Sequence, residues 1–255
     1  MKPDKIYDAL KDIMKDYFPE PLDISSYDQT YLNELGKNEN SIKIVLDRVN
    51  LKVLNVSDNV EDITGHSYED WMKDDYLFTF STFMSENHNF LLSWMESAAL
   101  VYEKANGNLL NYKSAFCGMK FNHKLGYTLR SIWRYSPIEI FENTLHKTAI
   151  ISIDNVTHLM KGNAYWGRTS FGEPDKPQYH HFHSKENLHV FQDIISDREK
   201  EVLKLIAKGW DSKEIGESLF ISSNTVNNHR RNMITRIGAR DSTALVQLCR
   251  MCGII

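Results

Sequence analysis

Apolar positions in this chain recur every three to four residues in some stretches and every second residue in others, and the switch of period marks out its parts. Ile6, Leu10, Ile13 and Tyr17 stand at helical spacing with Lys and Asp between them, which predicts an amphipathic helix over the first 20 residues. From Ser41 the period becomes two. Ile42, Ile44 and Leu46 face one way, and residues 51–56 read as a hairpin partner across a turn at 48–50. A helical patch over 59–72 carries Val60, Ile63 and Trp71. A longer helix over 85–104 buries Phe90, Leu91, Trp94, Met95, Ala98 and Val101. Past Asn106-Gly107, residues 110–116, 127–135 and 148–153 alternate as three more strands. Two strands, a block of helices and three strands predict a five-stranded antiparallel sheet with helices on one face.

The next segment breaks every period. Between Asn155 and Asp193, Gly162, Gly167, Gly172, Pro174 and Pro177 interrupt a mostly polar run, which reads as a linker arm. Its His180, His181, His183 and His189 lack a carboxylate or Cys at metal-ligand spacing, so they read as polar, partly exposed linker residues. Trp166, Phe171, Tyr179, Phe182 and Phe191 indicate that the arm docks on the body.

Helical spacing returns after Ile195. Ser196 and Glu199 form a capping box ahead of Val202, Leu203, Ile206 and Ala207, and Gly209 stops that helix. Asp211 and Glu214 repeat the box before Ile215 and Leu219. Ser222 caps a third helix over 223–237, closed by Gly238, and a fourth spans 241–252. On a wheel of about 100 degrees per residue, Val226, Met233 and Ile237 share one side of the third helix, with Ile234 at the edge. Asn228, Arg231 and Thr235 lie opposite, flanked by Asn227 and Asn232, on a face free of carboxylates. Alone, such a stripe is a solvated helix face. Two capped helices joined by a tight turn ahead of it predict a DNA-reading helix-turn-helix. Asn pairs bidentately with adenine and Arg with guanine, and the major groove admits one helix. Arg230 falls near the buried side and is expected to pair with an acid of the first helix, such as Glu201.

Charge agrees with that reading. Residues 194–255 hold 10 Lys+Arg against 7 Asp+Glu, net +3, while the preceding residues carry a net −7. An acidic body with a weakly basic tail touches phosphate through the tail, and weak binding by one copy points to two copies on one site.

The run 195–209, with Lys213, Glu214, Ile215, the Leu-Phe-Ile-Ser of 219–222, Thr225, Val226 and His229, resembles the LuxR-type helix-turn-helix. The resemblance covers about the last quarter of the chain. It implies that the third helix enters the major groove and that the fourth forms a dimer contact. Carried over by position, it implies Lys213 and Thr225 as phosphate ligands, and Asn227, Asn228 and Arg231, beside Thr235, at base edges or nearby phosphate. Asn227 stands where that family is often basic, and Gly216 where it usually has alanine.

Residues 40–155 resemble a PAS domain in their order of strands and helices, and 56–71 resemble its strand-to-helix turn. Such modules hold haem, flavin, a small metabolite or a second module, so the resemblance implies a sensing or dimerising front domain and names no cofactor. The Asn-Cys-Arg-Phe-Leu of flavin photosensors is absent. His66, His88, His123 and His146 are the candidate haem ligands, and each reads more simply as a surface or hydrogen-bonded histidine. Cys117 reads as a small core residue, and Phe78, Phe80, Phe83, Phe116, Phe121 and Trp133 as core or pocket lining.

The fold expected is α+β. A helical extension (1–39) leads into a PAS-like five-stranded antiparallel sheet with helices (40–155), a linker arm (156–193), and an all-α four-helix LuxR-type helix-turn-helix domain (194–255). The function expected is a cytoplasmic, homodimeric, sequence-specific transcription regulator acting on double-stranded DNA, with a small-molecule ligand and RNA polymerase as further partners. No run of 18 apolar residues spans a membrane, and the first residues lack a signal-peptide core. Phosphate-cradling, nucleophile-elbow and zinc-protease motifs are absent, which argues against an enzyme. Cys249 and Cys252 fall on one packed helix face and lack further ligands for zinc, so no metal site is expected. Two alternatives stand beside this reading, an autoinducer receptor, whose Asp-Pro-Val element is missing, and a polymerase-binding protein with a sigma-like tail. The hairpin-rich front argues against a phosphoacceptor receiver.

Overall fold

The computed structural model describes residues 41–47, 52–73, 88–106, 109, 111–140, 146–185 and 188–255. The helix expected over the first 20 residues, the turn at 48–50 and Phe78, Phe80 and Phe83 lie outside them, as do the side chains of His88, Phe90, Leu91, Met95 and His146.

The front of the chain folds as β1 (Ile42–Asp47), β2 (Lys52–Val56), α1 (Val60–Thr64), α2 (Tyr68–Lys73), α3 (His88–Lys104), β3 (Lys113–Asn122), β4 (Thr128–Ile140) and β5 (His146–Asn155). The first strand lies one in from the sheet edge, with Ile44 facing Val56 of β2 on one side and Ile151 of β5 on the other. Ile42, Ile44, Leu46, Trp71, Val101, Phe121 and Ile153 are buried in one core, so the alternating residues face inward as their period requires. The helical patch is broken into α1 and α2 at Gly65, which adopts φ 75°. A Cβ there would stand 2.6 Å from Cε1 of His123, so glycine serves both the turn and the close approach.

The sheet has eight strands rather than the five expected, in the order β2-β1-β5-β4-β3-β6-β7-β8, where β6 is Trp166–Phe171, β7 Gln178–His183 and β8 Leu188–Val190. All three added strands are antiparallel and lie in the segment expected to be a linker arm. Arg130 fastens the crossover that leads to them, donating to the carbonyls of Gly162 and Ala164. The expected docking of aromatic residues holds for Trp166, Phe171 and Phe182, which are buried. His180, His181 and His183 are buried too, contrary to the partly exposed linker expected. Strand alternation is hidden here because both faces of the extension are covered, and one cover presents polar groups to it.

Parity sorts those faces. Phe116 and Met119 of β3 and Phe182 of β7 cluster against Trp94 of α3. Ala115, Cys117, Ile132 and Trp166 join instead the core of the C-terminal helices. Phe116 and Met119 share a face because a bulge at Gly118, φ 87°, shifts the register by one residue.

Those helices are α4 (Asp197–Ile206), α5 (Ser212–Leu219), α6 (Ser223–Ile237) and α7 (Ser242–Met251), close to the bounds that their caps predict. Val202, Leu203, Ile215, Val226, Met233, Ile237, Leu245 and Leu248 are fully buried in a core continuous with the back of the sheet. Cys249 and Cys252 sit on that packed face, as their spacing implies.

Candidate DNA-reading site

Three local devices hold α6 in place. Ser196 and Glu199 close a capping box at α4, and Asp211 and Glu214 close another at α5. The Ser222 hydroxyl accepts from the Thr225 N–H at 3.0 Å, starting α6. Each cap satisfies amides that a helix start leaves without partners. The Glu214 N–H, followed by that of Lys213, holds the Asp211 carboxyl below its ordinary pKa.

The turn between α5 and α6 is tight. Phe220 ends α5 in the left-handed region at φ 57°, and its side chain is 94% exposed. A Cβ on Gly216 would lie 2.7 Å from the Ile221 carbonyl oxygen, so the missing methyl lets this turn close on α5.

With α6 placed, its two sides separate as the wheel predicts. Val226, Met233 and Ile237 are fully buried, and Asn227, Asn228, Arg231, Asn232 and Thr235 are exposed. Lys213 is exposed on α5, and Thr225 is half-buried with its hydroxyl 2.8 Å from that of Ser222. Asn227 accepts from the Ser212 hydroxyl at 2.7 Å, which ties the open face to the start of α5. Among the described residues, no side-chain hydrogen bond or ion pair engages Asn228, Arg231 or Thr235. The structure thus brings Asn227, Asn228, Arg231 and Thr235 onto one open surface, with Lys213 beside the Ser212–Asn227 link.

Arg230 does not meet Glu201. Its Nη2 donates to the Trp210 carbonyl at 3.0 Å, while Glu201 pairs with Arg198 of its own helix. The reach of Arg230 is set by the loop ahead of α5, which carries a carbonyl with no helical partner.

The inner side of α6 is anchored by charge. Arg236 Nη1 lies 2.8 Å from Glu199 Oε2 and also donates to the Ile194 carbonyl. Burial pushes the Glu199 carboxyl up, but the Ser196 N–H and Arg236 outweigh it, and its pKa lies below the usual value. A groove of about 750 Å³ opens between β7 and α6, lined among others by His181, His183, Lys200, His229 and Arg236. Among the described residues, no group of three or more His, Cys, Asp or Glu is placed to hold a metal ion. No helix among them is long and apolar enough to cross a membrane.

Residues 193–249 match the family model described as bacterial regulatory proteins, luxR family, so the C-terminal segment is a luxR-family helix-turn-helix domain. The oxygen regulatory protein NreC of Staphylococcus aureus is 46% identical over 54 residues, which are 21% of this chain and 25% of that protein. The chain therefore spans about a quarter of the length of the curated relatives it matches. Among solved structures, a PAS domain from Colwellia psychrerythraea covers 51% of this chain and 98% of its own, at 14% identity and a TM-score of 0.37. A ligand and DNA complex of VqmA from Vibrio cholerae covers 88% of both chains, at 14% identity and a TM-score of 0.33. The front domain itself runs as two strands, three helices and three strands, and β6 to β8 extend the same sheet.

Proposed function

We propose that this chain is a sequence-specific, DNA-binding transcription regulator that works as a homodimer, with a PAS-like front domain that senses a signal. The observation that carries the reading is the face of α6. Asn228, Arg231 and Thr235 stand exposed, with no side-chain partner among the described residues, on a helix whose opposite side is locked into the core. Arg231 and Asn228 are assigned to base edges, Lys213 and Thr225 to phosphates that fix register, and Asn227 to the margin between them. Two copies would set two such helices about one DNA turn, roughly 34 Å, apart. The reading assigns the chain binding rather than catalysis, a cytoplasmic place, a small-molecule signal at the front domain and RNA polymerase as the downstream partner.

Equilibrium binding of the full chain to duplex fragments of its own genome, over a range of salt, tests the core of this proposal. Preference for one fragment over bulk duplex by about a thousandfold or more supports it. Equal binding to all fragments at every salt overturns it.

A further inference from the structure

The end of the reading helix is not held by its own domain alone. Arg236, Ile237 and Gly238 offer three successive carbonyls at the C-terminus of α6, where a helix leaves its last acceptors without partners. Each is taken by the sheet side of the molecule. His183 Nε2 on β7 donates to Arg236 at 3.0 Å, Trp166 Nε1 on β6 to Ile237 at 3.0 Å, and the Lys161 N–H to Gly238 at 2.8 Å. The Lys185 N–H donates to Nδ1 of His183, which leaves the proton on Nε2 for the carbonyl. The chain past the helix returns the contact, as the Arg240 N–H donates to the Leu159 carbonyl at 2.8 Å and Met160 bridges Ala239.

The entry to α4 is fixed to the same strands. Asp193 is taken by Arg168 of β6 at 2.6 Å and by Lys200 of α4 at 2.8 Å, and all three are largely buried. His181 bonds the Gln192 carbonyl at 2.8 Å. Around these bonds runs the apolar core shared by the sheet and the helices, with Trp166 fully buried in it. Domains joined by a linker keep relative motion unless their interface is large and apolar, and this one is continuous core.

We propose that β6 and β7 grip the C-terminal end of α6, so that the reading helix and the sensor sheet form one rigid body and the orientation of the helix is set by the sheet. Trp166 and His183 are then positioning residues for DNA reading. A signal that moves the outer strands turns α6 with them, with no flexible tether between. The inference rests on α6 being the DNA-reading helix only for its consequence; the grip itself is a property of the free chain.

The test uses the full chain without DNA. All three native cysteines are buried, so cysteines introduced at exposed sites, Glu61→Cys on α1 and Lys204→Cys on α4, take nitroxide labels selectively. Electron spin distance measurement on labelled chain diluted into an excess of unlabelled chain, so that distances between copies do not enter, should give a single narrow distance. Adding Trp166→Phe and His183→Leu should lose it to a broad or split distribution. A broad distance before the two changes, or an unaltered narrow one after them, overturns the proposal. Should that variant fail to fold, fluorophores at the same two sites in the otherwise unchanged chain decide. Coincident unfolding midpoints support one body, and separate midpoints overturn it. Neither readout involves DNA, so a chain that proved to bind no duplex would sink the proposed function and leave the grip standing.

Discussion

The indole N–H of Trp166 donates to the carbonyl of Ile237 at 3.0 Å, across 71 residues of sequence. Both residues are fully buried, so no water replaces the bond when it is lost. Trp166→Phe keeps an aromatic ring but leaves the carbonyl without this donor, and should cost about 1–3 kcal/mol in urea unfolding of the full chain. A variant as stable as its parent would show that the contact contributes nothing.

Arg231 is exposed, with no side-chain partner among the described residues, so its loss should affect DNA and little else. Arg231→Ala should weaken binding by roughly 1–3 kcal/mol and relax preference at one base step, while folding stability stays within about 0.5 kcal/mol. Lys213→Ala should instead weaken all sequences alike and lower the salt slope by about 1. Titrations on a panel of single-base duplex variants, repeated at several salt concentrations, separate the two outcomes. Unchanged preference in Arg231→Ala would remove Arg231 from the base-reading set.

The C-terminal domain was legible because its signals are local. Ser196 and Glu199 are three residues apart, and so are Asp211 and Glu214, and the side of α6 that carries Val226, Met233 and Ile237 can be read from spacing alone. The sheet extension was not legible. Trp166 finds Ile237, His183 finds Arg236 and Arg168 finds Asp193 across separations that leave no periodic trace. Buried polar residues with distant partners look like solvated linker in a sequence, and glycines look like breaks. Helix geometry points Arg230 toward an acid of the first helix such as Glu201, whereas a loop carbonyl takes it.

Gly167 shows one such apparent break at work. A Cβ at this position would lie 2.2 Å from Cε1 of Phe182 and 2.8 Å from Cδ1 of Phe116. The two aromatic residues flank it on β7 and β3 and close over the bare backbone. Gly167→Ala should destabilise the chain by about 1–3 kcal/mol, although alanine suits a strand no worse than glycine does. Chemical denaturation of the variant checks this, and unchanged stability would mean that the rings shift freely.

His180 is buried, with no hydrogen-bond partner for Nε2 among the described residues, and burial, followed by the neighbouring His189 and His181, pushes its pKa from 6.5 down to about 4. The folded chain therefore binds this proton less readily than the unfolded chain. Its contribution to stability is complete above pH 6.5 and is lost as pH falls toward about 4. Unfolding free energies across that window should fall with a slope of up to one proton more in the parent than in His180→Phe. Parallel profiles for the two proteins would place His180 in a more open setting.

The central claim, that α6 reads sequence in duplex DNA, is tested most directly by selecting bound sites from a random duplex pool with the full chain at near-physiological salt. The account predicts an enriched motif with two-fold symmetry and half-sites about one helical turn apart. Recovery of no motif, with only salt-sensitive binding blind to sequence, would contradict it.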